Sequence, residues 1–270
     1  MSKRMMIVSI LLMSVLLSAC GSKPAWDNEE VSAVSHTILT DEVTAEWTLD
    51  GSQVSGSGVE KRIRLEIKKK DGARIDEFDV SHEKLLHLIV ISKDLSYFNH
   101  IHPEYKGNGM FEIANRFPAG GEYRLIADFK PTRGSSMTKM AWVRVEGASA
   151  APAPVIPDAK LDNVFEGNRV KLSIDQLEAN KELTLKFSIA DSATGQPVAD
   201  LEPYLGSIGH VVILTEDGER YVHVHALDGQ GTGPDAIFET TFPKSGIYKI
   251  WGQFQREGRV FTSSYVVHVP

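Results

Sequence analysis

An all-β chain of two tandem immunoglobulin-like β-sandwich domains is predicted by three observations. Short runs rich in Val, Ile, Leu, Tyr and Phe, bounded by turn residues, recur beyond the N-terminal segment, and no long stretch carries a helical period. A segment of small residues and proline, Gly147-Ala-Ser-Ala-Ala-Pro-Ala-Pro-Val-Ile-Pro157, divides the chain in two. The halves also repeat each other: Phe117-Pro-Ala-Gly-Gly121-Glu-Tyr123…Phe129 aligns with Phe242-Pro-Lys-Ser-Gly246-Ile-Tyr248…Phe254.

In chain order, the first half offers strands at 43–49, 63–68, 85–92, 97–102, 110–117, 123–129 and 139–145. The second offers 169–174, 183–189, 210–215, 220–225, 236–242, 248–254 and 260–269. Seven short strands per half is the number in an immunoglobulin-like sandwich, which places the domains at 39–147 and 159–270. The Pro/Ala linker, 148–158, is expected to run semi-extended and unpacked. Segment 175–182 has room for one helical turn. Tyr123 and Tyr248, two residues after a Gly that follows a strand-ending Phe-Pro, have the look of a tyrosine corner, in which the phenol bonds back to nearby backbone.

The N-terminus reads as a targeting segment rather than structure. Lys3 and Arg4 precede an apolar run, Met5 to Leu17, too short for a comfortable membrane span. Leu17-Ser18-Ala19-Cys20 then resembles the lipobox of bacterial lipoproteins, where cleavage precedes the cysteine and its thiol is lipid-modified. The resemblance implies a signal peptide at 1–19, a lipid on Cys20, a polar tether at 20–38 and an extracytoplasmic protein anchored to the membrane by lipid alone. Cys20 is the only cysteine, which leaves no disulfide and no thiolate for catalysis or soft-metal binding. Loss of Lys3 and Arg4 takes the formal charge from −7 to −9. An acidic surface argues against nucleic acid and favours cations.

The chemistry-bearing motif is also repeated. His87…His100-Ile-His102 recurs 123 residues later as His210…His223-Val-His225, and of the 16 aligned positions only the three histidines and an aspartate, Asp94 or Asp217, are identical. Apolar neighbours have drifted among Leu, Ile and Val, as packing permits. In a strand, residues i and i+2 share a face, so His100 and His102 point the same way. A four-residue loop at 93–96 pairs Ser92 with Tyr97 and sets His87 opposite His102. The turn Asp217-Gly218 likewise pairs Glu216 with Glu219 and sets His210 opposite His225. Each hairpin is thus expected to gather three imidazoles, a donor set suited to copper(II) or zinc. The competing account is that the histidines hydrogen-bond across the hairpin and serve structure. Asp94 and Asp217 belong to turn chemistry. His36, His82 and His268 have no repeat counterpart and are expected at the surface or in local structure, although His82, five residues before His87, is near enough to join the first site. Met137 and Met140 fall on opposite strand faces and read as packing.

The string Glu202-Pro-Tyr204-Leu-Gly206…Gly209-His210…Asp217-Gly218…His223-Val-His225, followed by Phe242-Pro…Gly246-x-Tyr248, resembles bacterial extracytoplasmic Ig-like domains of the YtkA-like kind. That resemblance implies an association with copper or other heavy-metal handling, and with it a metal-handling protein partner. The first half lacks the Pro-Tyr-Leu-Gly element.

The reading is a lipoprotein that buffers or delivers metal, with ligands His87, His100 and His102 in one domain and His210, His223 and His225 in the other. A non-catalytic scaffold or adhesion module is its main rival. A metal-dependent hydrolase comes third: Glu104 and Asp228 share no offset, and no Ser/His/Asp set, phosphate loop or carboxylate pair stands out, so no enzyme is expected.

Overall fold

The structure, a computed structural model, describes residues 38–54 and 58–270. The lipobox with Cys20, most of the tether and His36 lie outside the described residues. Among those residues no helix is long and apolar enough to cross a membrane.

The first half folds as two sheets. One has the order β1 (Val43–Val54), β2 (Val59–Lys69), β7 (Met110–Phe117), β6 (Glu104–Gly107). In the other, β5 (Phe98–Ile101), β4 (Leu86–Ser92), β8 (Gly121–Pro131) and β9 (Met137–Val145) lie side by side, with the short β3 (Phe78–Asp79) also on β8. In sequence order this is the A-B-E-D and C′-C-F-G arrangement of an immunoglobulin-like sandwich. The second half repeats it. β10 (Asp162–Phe165), β11 (Asn168–Ile174), β12 (Glu182–Asp191), β16 (Asp235–Thr241) and β15 (Val224–Ala226) form one sheet. β14 (Tyr221–Val222), β13 (His210–Thr215), β17 (Gly246–Arg256) and β18 (Arg259–Val269) form the other. The predicted strands are present; β3, β6 and β10 are too short to have shown a pattern, and the strand expected at 220–225 is split in two at His223.

Alternation along the strands separates two jobs. β4 sends Leu86, Leu88 and Val90 into the first core, and β8 adds Tyr123, Leu125, Ala127 and Phe129. The second core takes Val211 and Ile213 of β13 and Tyr248, Ile250 and Phe254 of β17. Both tyrosine corners form, Tyr123 Oη donating to the Ala119 carbonyl at 2.8 Å and Tyr248 Oη to that of Lys244 at 2.7 Å.

Several residues between those core positions are apolar too, and they meet one another. Ile89, Ile91 and Ile126 of the first half pack with Val212, Leu214 and Trp251 of the second in a third buried cluster. Each C′-C-F-G sheet therefore buries its outer face against the other, and the described residues form one compact unit. Phe98 stacks on Trp251 with ring centroids 5.0 Å apart. Polar groups rim this seam: Trp142 Nε1 donates to Glu219, Arg124 pairs with Glu219 at 3.1 Å, and Lys249 Nζ donates to the Leu95 carbonyl. The tip glycine of the Asp217 turn, Gly218, is held at φ 70°, and a Cβ there would come within 3.1 Å of the Trp142 ring.

The linker departs from expectation, since it is docked. Ala153 N–H donates to Asp94 Oδ2 at 2.8 Å, Gly120 N–H to the Ala148 carbonyl at 2.9 Å, and Val155 packs against the seam. Buried apolar neighbours and a carboxylate acceptor hold a segment whose composition favours extension in isolation.

Candidate functional site

The first hairpin has the predicted register: Leu88 opposes Ile101, Ile89 opposes His100 and Ile91 opposes Phe98, with Ser92 N–H donating to the Tyr97 carbonyl. Continuing that count brings His102 opposite His87. All three rings lie on the seam face, with centroids 5.0 Å apart for His87–His102, 4.9 Å for His100–His102 and 5.3 Å for His87–His100. One nitrogen from each falls within 4.8 Å of the others, and among the described residues no other set of His, Cys, Asp or Glu does so.

The outer hydrogen bonds determine what the inner nitrogens carry. His87 Nε2 lies 2.9 Å from the Ser81 carbonyl, an acceptor only, so the proton of neutral His87 sits on Nε2. His100 Nδ1 lies 2.8 Å from Oε1 of Gln253, whose amide Nε2 is directed to Thr262 Oγ1. That contact places the His100 proton on Nδ1. The remaining nitrogens, His87 Nδ1 and His100 Nε2, face each other at 3.1 Å with a lone pair on each. The third ring contributes His102 Nε2, which is buried without a hydrogen-bond partner. Burial, reinforced by the other imidazoles, pushes His100 well below its ordinary pKa and takes His102 down to about 4; burial also lowers His87. All three rings are neutral near pH 7, the form that coordinates metal.

The second triad is corrected by the structure. Its hairpin starts in the predicted register, Ile213 opposing Val222 and Leu214 opposing Tyr221. After Val222, however, the chain crosses to the opposite sheet, where Val224 pairs with Thr240 and His225 with Glu239, while Thr240 Oγ1 donates to the His223 carbonyl. His223 and His225 are exposed, and neither joins His210. The repeats differ at a proline. Pro103 occupies the repeat position of Ala226, fixes its own φ and restricts the backbone of His102, and in the first half pairing with that sheet begins only at Glu104. His102 accordingly stays with β4.

His210 instead enters the first cluster from across the seam. Its ring lies 4.7 Å from His100 and 5.8 Å from His87, with planes 8° apart in the latter pair. Gly209 allows this: a Cβ there would stand 2.6 Å from the Phe254 ring and 2.7 Å from the Gln253 carbonyl. Burial, then the neighbouring imidazoles, drives the His210 pKa down to about 3.

Of two further participants, Gln253 was not singled out from sequence, whereas His82 was, as near enough to join the first site. Gln253 is addressed through the partner sheet, which no local pattern reveals. His82, expected at the surface, is exposed as a residue but holds its ring 6.1 Å from His87 and 6.0 Å from His210, on a turn where its φ is 46°. The second half has the same turn at Tyr204–Ser207, with Leu205 and Gly206 at positive φ, so the Pro-Tyr-Leu-Gly element has a structural counterpart at Ser81–Lys84. A cleft of about 500 Å³ reaches the cluster, with His100 and His102 in its wall beside Lys84, Tyr204 and Gln253. Asp94 and Asp217 do what turn aspartates do, accepting from Ser96 N–H and Glu219 N–H. Met137 packs in the first core, Met140 against the seam, and His268 is exposed.

Comparison with curated proteins finds no match. Among solved structures, invasin, titled a bacterial integrin-binding protein, aligns at 12% identity and a TM-score of 0.26, covering 83% of this chain and 39% of invasin. MtrC from Shewanella baltica OS185 aligns at 7% identity and a TM-score of 0.26, over 83% of this chain and 68% of MtrC. Domains 5-6 of the S-layer protein SbsC align at 16% identity and a TM-score of 0.23, over 83% and 98% of the two chains. The chain thus spans well under half the length of invasin. A protein-family match covers both sandwiches, at residues 38–147 and 162–270, and by it this chain belongs to the family described as Domain of unknown function (DUF8832).

Proposed function

We propose that this protein is a membrane-anchored extracytoplasmic lipoprotein that binds copper(II) or zinc through His87, His100 and His102, and that it buffers the metal or passes it to a metal-handling protein. One observation carries the reading: two neutral imidazoles aim lone pairs at each other across 3.1 Å, each oriented from behind by an oxygen acceptor. Bare, that contact is repulsive; a cation accepting both pairs makes it favourable. Nitrogens sharing a tetrahedral ion at ~2.0–2.1 Å stand about 3.3 Å apart. A backbone carbonyl or amide oxygen behind each ring is the usual support for a histidine ligand. His102 is farther out, within 4.8 Å, and its unpartnered Nε2 is the nitrogen left to close the set by rotamer adjustment. The absence of thiolate favours copper(II) or zinc over copper(I).

Lipid attachment at Cys20 would hold this site at the outer face of a membrane. Calorimetric titration of the full-length, detergent-solubilised chain with zinc and copper(II) tests the reading beside a variant in which His100 and His102 are both Gln. Stoichiometric binding by the parent and none by the variant is expected. Equal weak binding by both would return the protein to the class of non-catalytic Ig-like scaffolds with structural histidines.

A further inference from the structure

Resting on that metal reading, we infer that His210 supplies a fourth nitrogen, so that the ion ties the two sandwiches together and is held tightly only while they are docked. Three histidine ligands leave one position of a tetrahedral site open. His210 lies closer to His100, ring to ring, than His87 or His102 does, at 4.7 Å against 5.3 and 4.9 Å. Its imidazole makes no hydrogen bond among the described residues, whereas the outer nitrogens of His87 and His100 are both engaged.

The second sandwich also contributes twice from a single rung of its sheet. His210 on β13 and Gln253 on β17 are registered partners, and Gln253 is the residue that orients His100. One rung therefore reaches the ion directly through His210 and indirectly through the tautomer of His100. The first sandwich alone keeps three ligands and loses both of these contributions.

Binding and docking are then reciprocally linked: whatever separates the sheets weakens the site, and the ion strengthens the seam by the same factor. A partner that competes for the seam would draw metal out without touching a ligand.

The test uses the full-length chain with copper(II) for electron spin resonance and zinc for affinity. The parent should show four nitrogens on copper(II), and His210→Asn should show three, with zinc affinity at least about tenfold lower, in the range seen when support of a metal site is lost. Trp251→Ala, which loosens the seam without removing a histidine or Gln253, should weaken zinc binding in the parent and have little further effect in His210→Asn. Phe98→Leu serves as the milder seam variant should Trp251→Ala fail to fold. Three nitrogens on the parent, or parental zinc affinity in His210→Asn, overturns the inference while leaving the three-histidine site intact. A parent that binds no better than the His100/His102 double variant removes the inference together with the reading beneath it.

Discussion

His87 and His210 occupy the same position in the two repeats, and they stack across the seam with centroids 5.8 Å and planes 8° apart. Face-to-face packing of two like sheets brings equivalent strands opposite each other, so a residue from the outer face of one C strand meets its own repeat. The correspondence extends to the F strands, where Gln253 stands at the repeat position of Asp128. Gln253 bonds to His100, and Asp128 feels the field of His223, the repeat of His100.

Gln253→Leu should separate orientation from ligation. It removes the acceptor that fixes the His100 tautomer and leaves Nδ1–H buried without a partner. Metal affinity is expected to fall about 10–100-fold, and chemical denaturation of the metal-free protein should show a loss of about 1–3 kcal/mol. Unchanged affinity would mean that His100 does not need its outer bond to present Nε2.

Pro103→Ala lifts the backbone restriction at the repeat position of Ala226, the last residue of the segment that the second half pairs with β16. Strand β6 should then extend backward along β7, as β15 does along β16, and carry His102 away from His87. Nuclear magnetic resonance would detect new cross-strand contacts from residues 102 and 103 to β7. A hairpin with parental contacts would show that proline is not what retains His102.

Trp251→Ala should cost about 3–5 kcal/mol in chemical denaturation, the range for truncating a large buried aromatic. Trp251 is 3% exposed and stacks on Phe98 across the seam, so the loss tests whether the halves unfold as one unit. A transition that splits into two, with the midpoint of the more stable half unchanged, would indicate that the seam contributes little.

Acid should destabilise the metal-free protein over a defined window. The histidine pKa values are lowered in the folded state, so the unfolded chain takes up protons first as pH falls. Stability is therefore complete above the ordinary value of about 6.5 and declines toward the folded values of about 4 for His102 and about 3 for His210. The His102→Gln and His210→Gln proteins should each show a shallower decline in denaturation midpoints between pH 6.5 and 4. Identical slopes in parent and variants would show that these rings do not govern the acid limb.

Local pattern carried a good deal of this. Period-two alternation and turn residues located the strands, Phe-Pro and Gly-x-Tyr located both corners, and the loop at 93–96 set the register that gathers His87, His100 and His102. Each depends on neighbours a few residues apart, where backbone geometry leaves few options. The Asp217-Gly218 turn was equally legible, and its register is the expected one, yet the histidines beyond it part company because a strand can change sheets after two residues.

What the chain encodes by itself is the duplication, the sandwich topology and one converging hairpin, since these follow from side-chain alternation and turn chemistry within contiguous segments. Which histidines share a site was decided by tertiary packing. Apolar residues on the outer faces of both C′-C-F-G sheets bury each other, and that contact brings His210 and Gln253 to His100 from more than 100 residues away while His223 and His225 are left in solvent.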